Sequence, residues 1–383
     1  MSQASKLFFM PTRIVHGLGS VDALAAQVSA AGAARAMVVT DKGLTGAGIT
    51  ARVASSLDDG GVPYVVFDDC EEDPGVRTVS AGVEVFKREG CDLVVALGGG
   101  SPMCAGKGIA LVAANGGTLT DYEGFNKAAD RPYPVIAIPT TAGSGTEVSK
   151  VTILTDEARN FKMSILDERT YPEVAILDAE LMASLPKWPA LVAGMDALAH
   201  ALDALWSVGS TQFSDGLATE AAATIFRDLA TAAGSDDLAA KQRLLEASSI
   251  ANVALGTALP GLAHVLSQPL GRLHLSHGLA TGIMLPYTME YNIPVAAHKI
   301  APVARLLGES GDDQGLASAV LQRLWDLMTS VGFPTGLDPA VVTDEELPVL
   351  VEQCTRVVNY KLNMREAPPD ELERLYRRAR GEG

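Results

Sequence analysis

Only six histidines occur in the 383 residues, and four of them fall between positions 200 and 277. His200 closes the run Gly194-Met195-Asp196-Ala197-Leu198-Ala199-His200. Four residues apart on a helix, Asp196 and His200 share one face about a turn apart, the spacing of a chelating pair. The flanking alanines leave room around them. His264 follows on a second helical stretch, and His274 and His277 come just before a break at Gly278. One carboxylate and three imidazoles make a nitrogen–oxygen donor set suited to a divalent transition metal such as iron(II) or zinc. The competing explanation is a surface Asp/His pair plus unrelated core histidines. Crowding of four histidines into one apolar region favours the metal.

A second chemistry is anion binding. The apolar run 93–97 leads into Gly98-Gly99-Gly100-Ser101-Pro102, and a helix is predicted from about Met103. Glycines at a strand's carboxyl end let backbone approach a ligand closely, and the helix behind them offers unpaired N–H groups to a pyrophosphate. The bland alternative is a tight strand–helix turn with no ligand. A second loop of glycines and hydroxyls, Pro139-Thr140-Thr141-Ala142-Gly143-Ser144-Gly145-Thr146-Glu147, again follows an apolar run. Asp41 ends a third such run. An acid there accepts from a ribose 2′-hydroxyl and repels a 2′-phosphate, or is simply a turn aspartate.

The elements that must position these groups divide the chain in two. Residues 1–188 alternate apolar runs, at 36–40, 64–67, 93–97 and 135–138, with helical stretches such as 79–88. That texture predicts buried parallel strands in an open α/β sheet, hence a dinucleotide-binding domain. Segments 151–154 and 161–165, around the polar turn 156–160, predict a hairpin, and 174–178 one more strand. From 189 to 383 alanine and leucine at helical periodicity predict an all-helical domain for metal and substrate, with the last residues, 377–383, frayed.

Composition narrows the partners. With 30 Lys plus Arg against 46 Asp plus Glu, the formal net charge is −16, which disfavours nucleic acid and anionic membrane surfaces. No apolar stretch reaches the length of a membrane span, and the patch Leu7-Phe8-Phe9-Met10 is too short for a signal peptide. Four cysteines without a C-x-x-C spacing suggest neither a zinc knuckle nor a disulfide framework, so a cytoplasmic location is expected.

Several of these runs together resemble the group III metal-dependent, or iron-containing, alcohol dehydrogenases over nearly the whole chain. The resemblance rests on Gly98-Gly99-Gly100-Ser101, on the segment from Pro139 to Glu147, on Gly194 to Ala201, on His264 followed by Pro269-Leu270-Gly271, and on His277-Gly278. It implies a dehydroquinate-synthase-like fold, with a nicotinamide cofactor bound in the cleft and a metal held by the helical domain. The resemblance assigns the four ligand positions to Asp196, His200, His264 and His277. It puts Asp41 where an acid disfavours NADP, so NAD is the expected cofactor. It places Gly99, Gly100 and Ser101 at the pyrophosphate, Thr140, Thr141 and Ser144 along the adenine and ribose, and Lys162 at a ribose hydroxyl. Lys107 is kept, but Cys104 stands where the family usually has Asp, and Gln268 where lactaldehyde reductases often have a second His.

The expected activity is hydride transfer between NAD and a small alcohol, aldehyde or ketone, with Fe2+ as the metal and Zn2+ as the alternative. With Gln268 in place of a histidine, His274 becomes the candidate to relay the alcohol proton to solvent; the alternative is that it only lines the pocket. A homodimer or larger homo-oligomer is expected from the family. A metal-dependent lyase on the same fold is the competing activity, but it would need a basic cluster for a phosphorylated substrate, and Arg272 is the main basic residue near the metal motif. A metal-free binding module is the third reading, and the complete Asp/His set argues against it.

Overall fold

The computed structural model describes residues 6–159 and 161–382. They form two compact units. One is Met10–Leu185; the other runs from Pro186 onward and takes in residues 6–9 as well.

Among the described residues nine strands belong to the first unit: β1 (Arg13–His16), β2 (Ala36–Val39), β3 (Tyr64–Phe67), β4 (Leu93–Gly98), β5 (Gly124–Phe125), β6 (Val135–Pro139), β7 (Val151–Asp156), β8 (Phe161–Leu166) and β9 (Val174–Leu177). Six of them make a parallel sheet in the order β1-β9-β6-β4-β2-β3. The central strands β2, β4, β6 and β9 are buried throughout, which is why they are continuous apolar runs. Side chains alternate between faces. Met37, Val39, Val94 and Ala96 pack with the helices Val76–Arg88 and Gly100–Asn115, whereas Ala36, Val38, Leu93 and Val95 pack with Leu24–Ala30 and Ile49–Asp59.

The predicted hairpin is β7 against β8, antiparallel, with β5 added beside β8. Asp156 shapes its turn by accepting from the amides of Ala158 and Arg159; Asn160, the last residue of the predicted turn, lies outside the described residues. The edge strand β1 has no counterpart in the sequence reading, because its ends, Arg13 and His16, are exposed and polar.

The second unit is helical: Lys187–Leu205, Gln212–Gly234, Leu238–Ala258, Leu262–Ser267, His277–Leu306, Asp313–Val331, Leu347–Arg356 and Pro369–Ala379. Among the described residues no single helix is long and apolar enough to cross a membrane. Two chain ends differ from expectation. Residues 6–9, counted by sequence with the α/β half, pack on the helical unit: Lys6 Nζ donates to the carbonyls of Val208 and Ser210, and Phe8 stacks on Phe213 with ring centroids 5.3 Å apart. Residues 377–382 are not frayed, since Arg380 donates to the Val342 carbonyl and both Arg377 and Arg380 pair with Asp344.

Candidate metal centre and nucleotide loops

The helix Lys187–Leu205 is buried from Gly194 to Leu205, so Asp196 and His200 project into the interior of their unit rather than into water. His264 comes from the short helix Leu262–Ser267 and His277 from the first position of His277–Leu306. The two long helices approach closely because Gly278 has no side chain: a Cβ there would lie 2.8 Å from the Val192 carbonyl oxygen and 3.2 Å from Asp196 Cβ. That contact sets His277 beside Asp196.

One ligand-capable atom from each of Asp196, His200, His264 and His277 lies within 4.8 Å of the others. His277 Nε2 is 3.6 Å from Asp196 Oδ1, and His200 Nε2 is 3.7 Å from Asp196 Oδ2. The His200 and His264 rings stack with centroids 5.0 Å apart. Three of the residues are buried, while the His277 side chain is half exposed, which leaves one open side. Asp196 Oδ1, His200 Nδ1 and His264 Nε2 are buried without a hydrogen-bond partner. Buried polar atoms are almost always paired, so a cluster of orphaned donors and acceptors is what a cation would satisfy. The donor set fits a divalent metal.

The electrostatics of Asp196 and His200 agree with that chemistry. Burial disfavours the Asp196 carboxylate, but the surrounding histidines together hold its carboxyl below the usual range. Burial pushes His200 down to about 4, only partly offset by Asp196, so its imidazole is neutral and has a lone pair to give. For His264 burial also opposes the charge, yet the bond and charge of Asp203 outweigh it and pull the pKa up.

His274 stands outside this quartet. Two helical neighbours three apart would face one way, but the segment is not helical: His274 has a left-handed backbone (φ 61°), is exposed, and precedes the helix that begins at His277. The spacing argument that left both histidines open as ligands therefore does not apply.

The two glycine-rich loops meet within the α/β unit. The helix after β4 begins at Gly100, not near Met103, with Gly99 as its N-cap. Gly98 has φ 144°, and a Cβ there would lie 2.6 Å from Pro102, so the sharp strand-to-helix turn requires glycine. Virtual Cβ atoms on Gly99 and Gly100 would touch Thr141 and Ser144, respectively, and Thr140 N–H donates to the Gly98 carbonyl. The expected pyrophosphate and ribose groups are thus side by side. Asp41 caps a short helix by accepting from the Leu44 amide at 2.9 Å. Lys162 Nζ is 2.7 Å from Asp73 Oδ1, a partner that the sequence reading did not foresee. Asp73 in turn donates its N–H to Ser101 Oγ. Cys104 is buried in the helix Gly100–Asn115, where it accepts from the Ile153 amide, and burial pushes its thiol up.

Sequence reasoning also passed over Asp203. It lies seven residues after Asp196 and three after His200, a helical spacing that could have flagged it.

Residues 11–179 match the iron-containing alcohol dehydrogenase family, and residues 190–380 match the C-terminal part of the Fe-containing alcohol dehydrogenase family. An NAD-dependent methanol dehydrogenase of Bacillus methanolicus is 34% identical over 377 residues, covering 97% of this chain and 99% of that protein. A crystal structure of a 1,3-propanediol oxidoreductase superposes with a TM-score of 0.94 at 30% identity, covering 98% of this chain and 100% of that one. A sulfoacetaldehyde reductase of Bifidobacterium kashiwanohense, solved in complex with NAD+, superposes with a TM-score of 0.91 at 30% identity, covering 99% and 100%.

Proposed function

The chain belongs to the iron-containing alcohol dehydrogenase family, and on that premise we propose that it exchanges hydride between NAD and a small alcohol or aldehyde. The observation that carries this reading is the quartet Asp196, His200, His264 and His277, with Asp196 Oδ1 and His264 Nε2 buried and unpartnered. We assign these four residues as the ligands of a divalent metal, iron(II) before zinc. Bound there, the cation supplies Lewis acidity toward the substrate oxygen and favours the deprotonated alcohol. The similar proteins named above are dehydrogenases and reductases, which speaks for this activity over the lyase alternative.

The protein's own part is positioning. Asp196 supplies negative charge, His200, kept neutral by burial, and His264 through its unpartnered Nε2 supply nitrogen lone pairs, and the exposed side at His277 admits the substrate. In the α/β unit, Gly98, Gly99, Gly100 and Ser101 present the N-terminus of the helix Gly100–Asn115 to the cofactor pyrophosphate. Thr140, Thr141 and Ser144 offer hydroxyls beside it, and Asp41 disfavours a 2′-phosphate. Lys162 serves the ribose from its ion pair with Asp73. Exposed His274 passes the alcohol proton to water. The enzyme works in the cytoplasm as a homodimer or larger homo-oligomer; four free, buried thiols support the reducing compartment, and the oligomer follows the family resemblance.

Metal analysis of the purified protein, with nicotinamide absorbance followed over short alcohols, diols and aldehydes, tests this reading. His200→Ala and His264→Ala should lose metal and turnover together. Either variant keeping both would remove that residue from the site, and NAD-linked turnover by fully metal-free protein would sink the mechanism.

A further inference from the structure

Behind the quartet lies a carboxylate that its ligand set does not use. Asp203 is fully buried on the same helix as Asp196 and His200. Its Oδ1 accepts from the Trp206 indole Nε1 at 2.6 Å and from the Ala263 amide at 3.2 Å. Its Oδ2 accepts from the His264 amide at 3.1 Å and lies 2.7 Å from His264 Nδ1. A carboxylate saturated by N–H donors has no proton to offer the ring, so Nδ1 carries the hydrogen and Nε2 is left with its lone pair. That Nε2 is the buried, unpartnered atom turned into the quartet. The approach depends on Gly261, where a Cβ would lie 2.8 Å from Asp203 Oδ1 and 3.1 Å from Trp206 Cδ1.

The short helix carrying His264 is also held without Asp203. At its other end Cys354 Sγ bonds the Val265 carbonyl at 3.3 Å and Tyr376 Oη donates to the Leu266 carbonyl at 2.6 Å. Backbone placement of the helix and orientation of the ring are therefore separable tasks.

We propose that Asp203 is a positioning residue of the metal centre, fixing His264 as the Nδ1–H tautomer and aiming Nε2 at the cation, with Trp206 as its second hydrogen-bonded partner. The proposal rests on the metal reading above. Partners of this kind orient ligating histidines and raise their basicity, and their loss typically weakens metal binding about 10- to 100-fold.

The test loads the full-length protein with Co2+ and follows both its visible absorption and its retention against a competing chelator. Asp203→Asn should fold, hold Co2+ about 10- to 100-fold less tightly and shift the cobalt spectrum. Trp206→Phe, which removes one donor to the carboxylate but leaves His264 paired, should weaken retention less. Equal retention and an unchanged spectrum in Asp203→Asn would overturn the proposal while leaving the metal reading intact. A wild type that holds no cobalt would overturn both. Should Asp203→Asn not fold, 15N-histidine NMR of the wild type decides: a proton on His264 Nδ1 supports the assignment, and a proton on Nε2 overturns it.

Discussion

Gly278 packs against Val192 so closely that a single added methyl would sit 2.8 Å from the Val192 carbonyl oxygen. The contact joins two helices, and each carries part of the quartet: Asp196 and His200 on one, His277 on the other. Gly278→Ala must push them apart. Overpacking of this kind costs about 1–3 kcal/mol, and the displaced His277 should loosen the metal by about tenfold, an estimate from the loss of supporting geometry. Thermal unfolding and metal content measured together check this; a variant with unchanged metal content would show that the helix contact does not set the ligand geometry.

Asp41 is the residue proposed above to set the cofactor preference. NAD should be used more efficiently than NADP, because a carboxylate near the 2′-position repels a phosphate. Since Asp41 also accepts from the Leu44 amide, Asp41→Asn is the informative variant: it keeps a capping oxygen and removes the charge. Its NAD/NADP ratio of kcat/KM should fall by about five- to tenfold, the effect of roughly 1 kcal/mol of surface repulsion. An unaltered ratio would remove Asp41 from cofactor selection.

His274 is exposed with a left-handed backbone, free of the ligand set in geometry. His274→Phe should keep its metal, lose about tenfold or more in turnover, at or below the usual range for general acid–base groups, and change one limb of the pH profile of alcohol oxidation. Metal loss would instead make His274 a ligand, and an unchanged pH profile would end the relay role.

Burial pushes the thiols of Cys70 and Cys354 up to about 12. Their folded pKa values exceed the ordinary 9.0, so the folded state keeps protons that the unfolded chain releases. Their contribution to stability is complete below pH 9 and is lost as the pH rises toward 12. The free energy of unfolding should fall across that range, by on the order of a few kcal/mol, and fall less in the Cys70→Ala/Cys354→Ala double variant relative to its own value at pH 8. In native protein at pH 8 both thiols should resist a thiol reagent and react once denatured.

Much of this molecule is legible in one dimension because its signals are local. The strands β2, β4, β6 and β9 are buried on both faces, so each is an uninterrupted apolar run, and Gly98 at the end of β4 marks the turn where only glycine fits. Asp196 and His200 declare themselves through helical spacing within one segment. The alternation of side-chain direction along a strand that assigns Met37 and Ala36 to opposite layers is equally local.

Other features depend on contacts between distant segments, and no spacing encodes those. Whether His274 or His277 joins the quartet depends on where a helix begins, and Gly278 against Val192 belongs to that helix's packing. Lys162 pairs with Asp73 across 89 positions, and Asp203 reaches His264 across 61. The exposed ends of β1 hide an edge strand because hydrogen bonds to β9 hold it, and those bonds leave no apolar pattern in the sequence. Residue types and short-range periodicity thus determined which chemistry the chain can perform, whereas the tertiary structure decided which atoms are brought together to perform it, because burial and pairing are made by segments that meet only when the chain has folded.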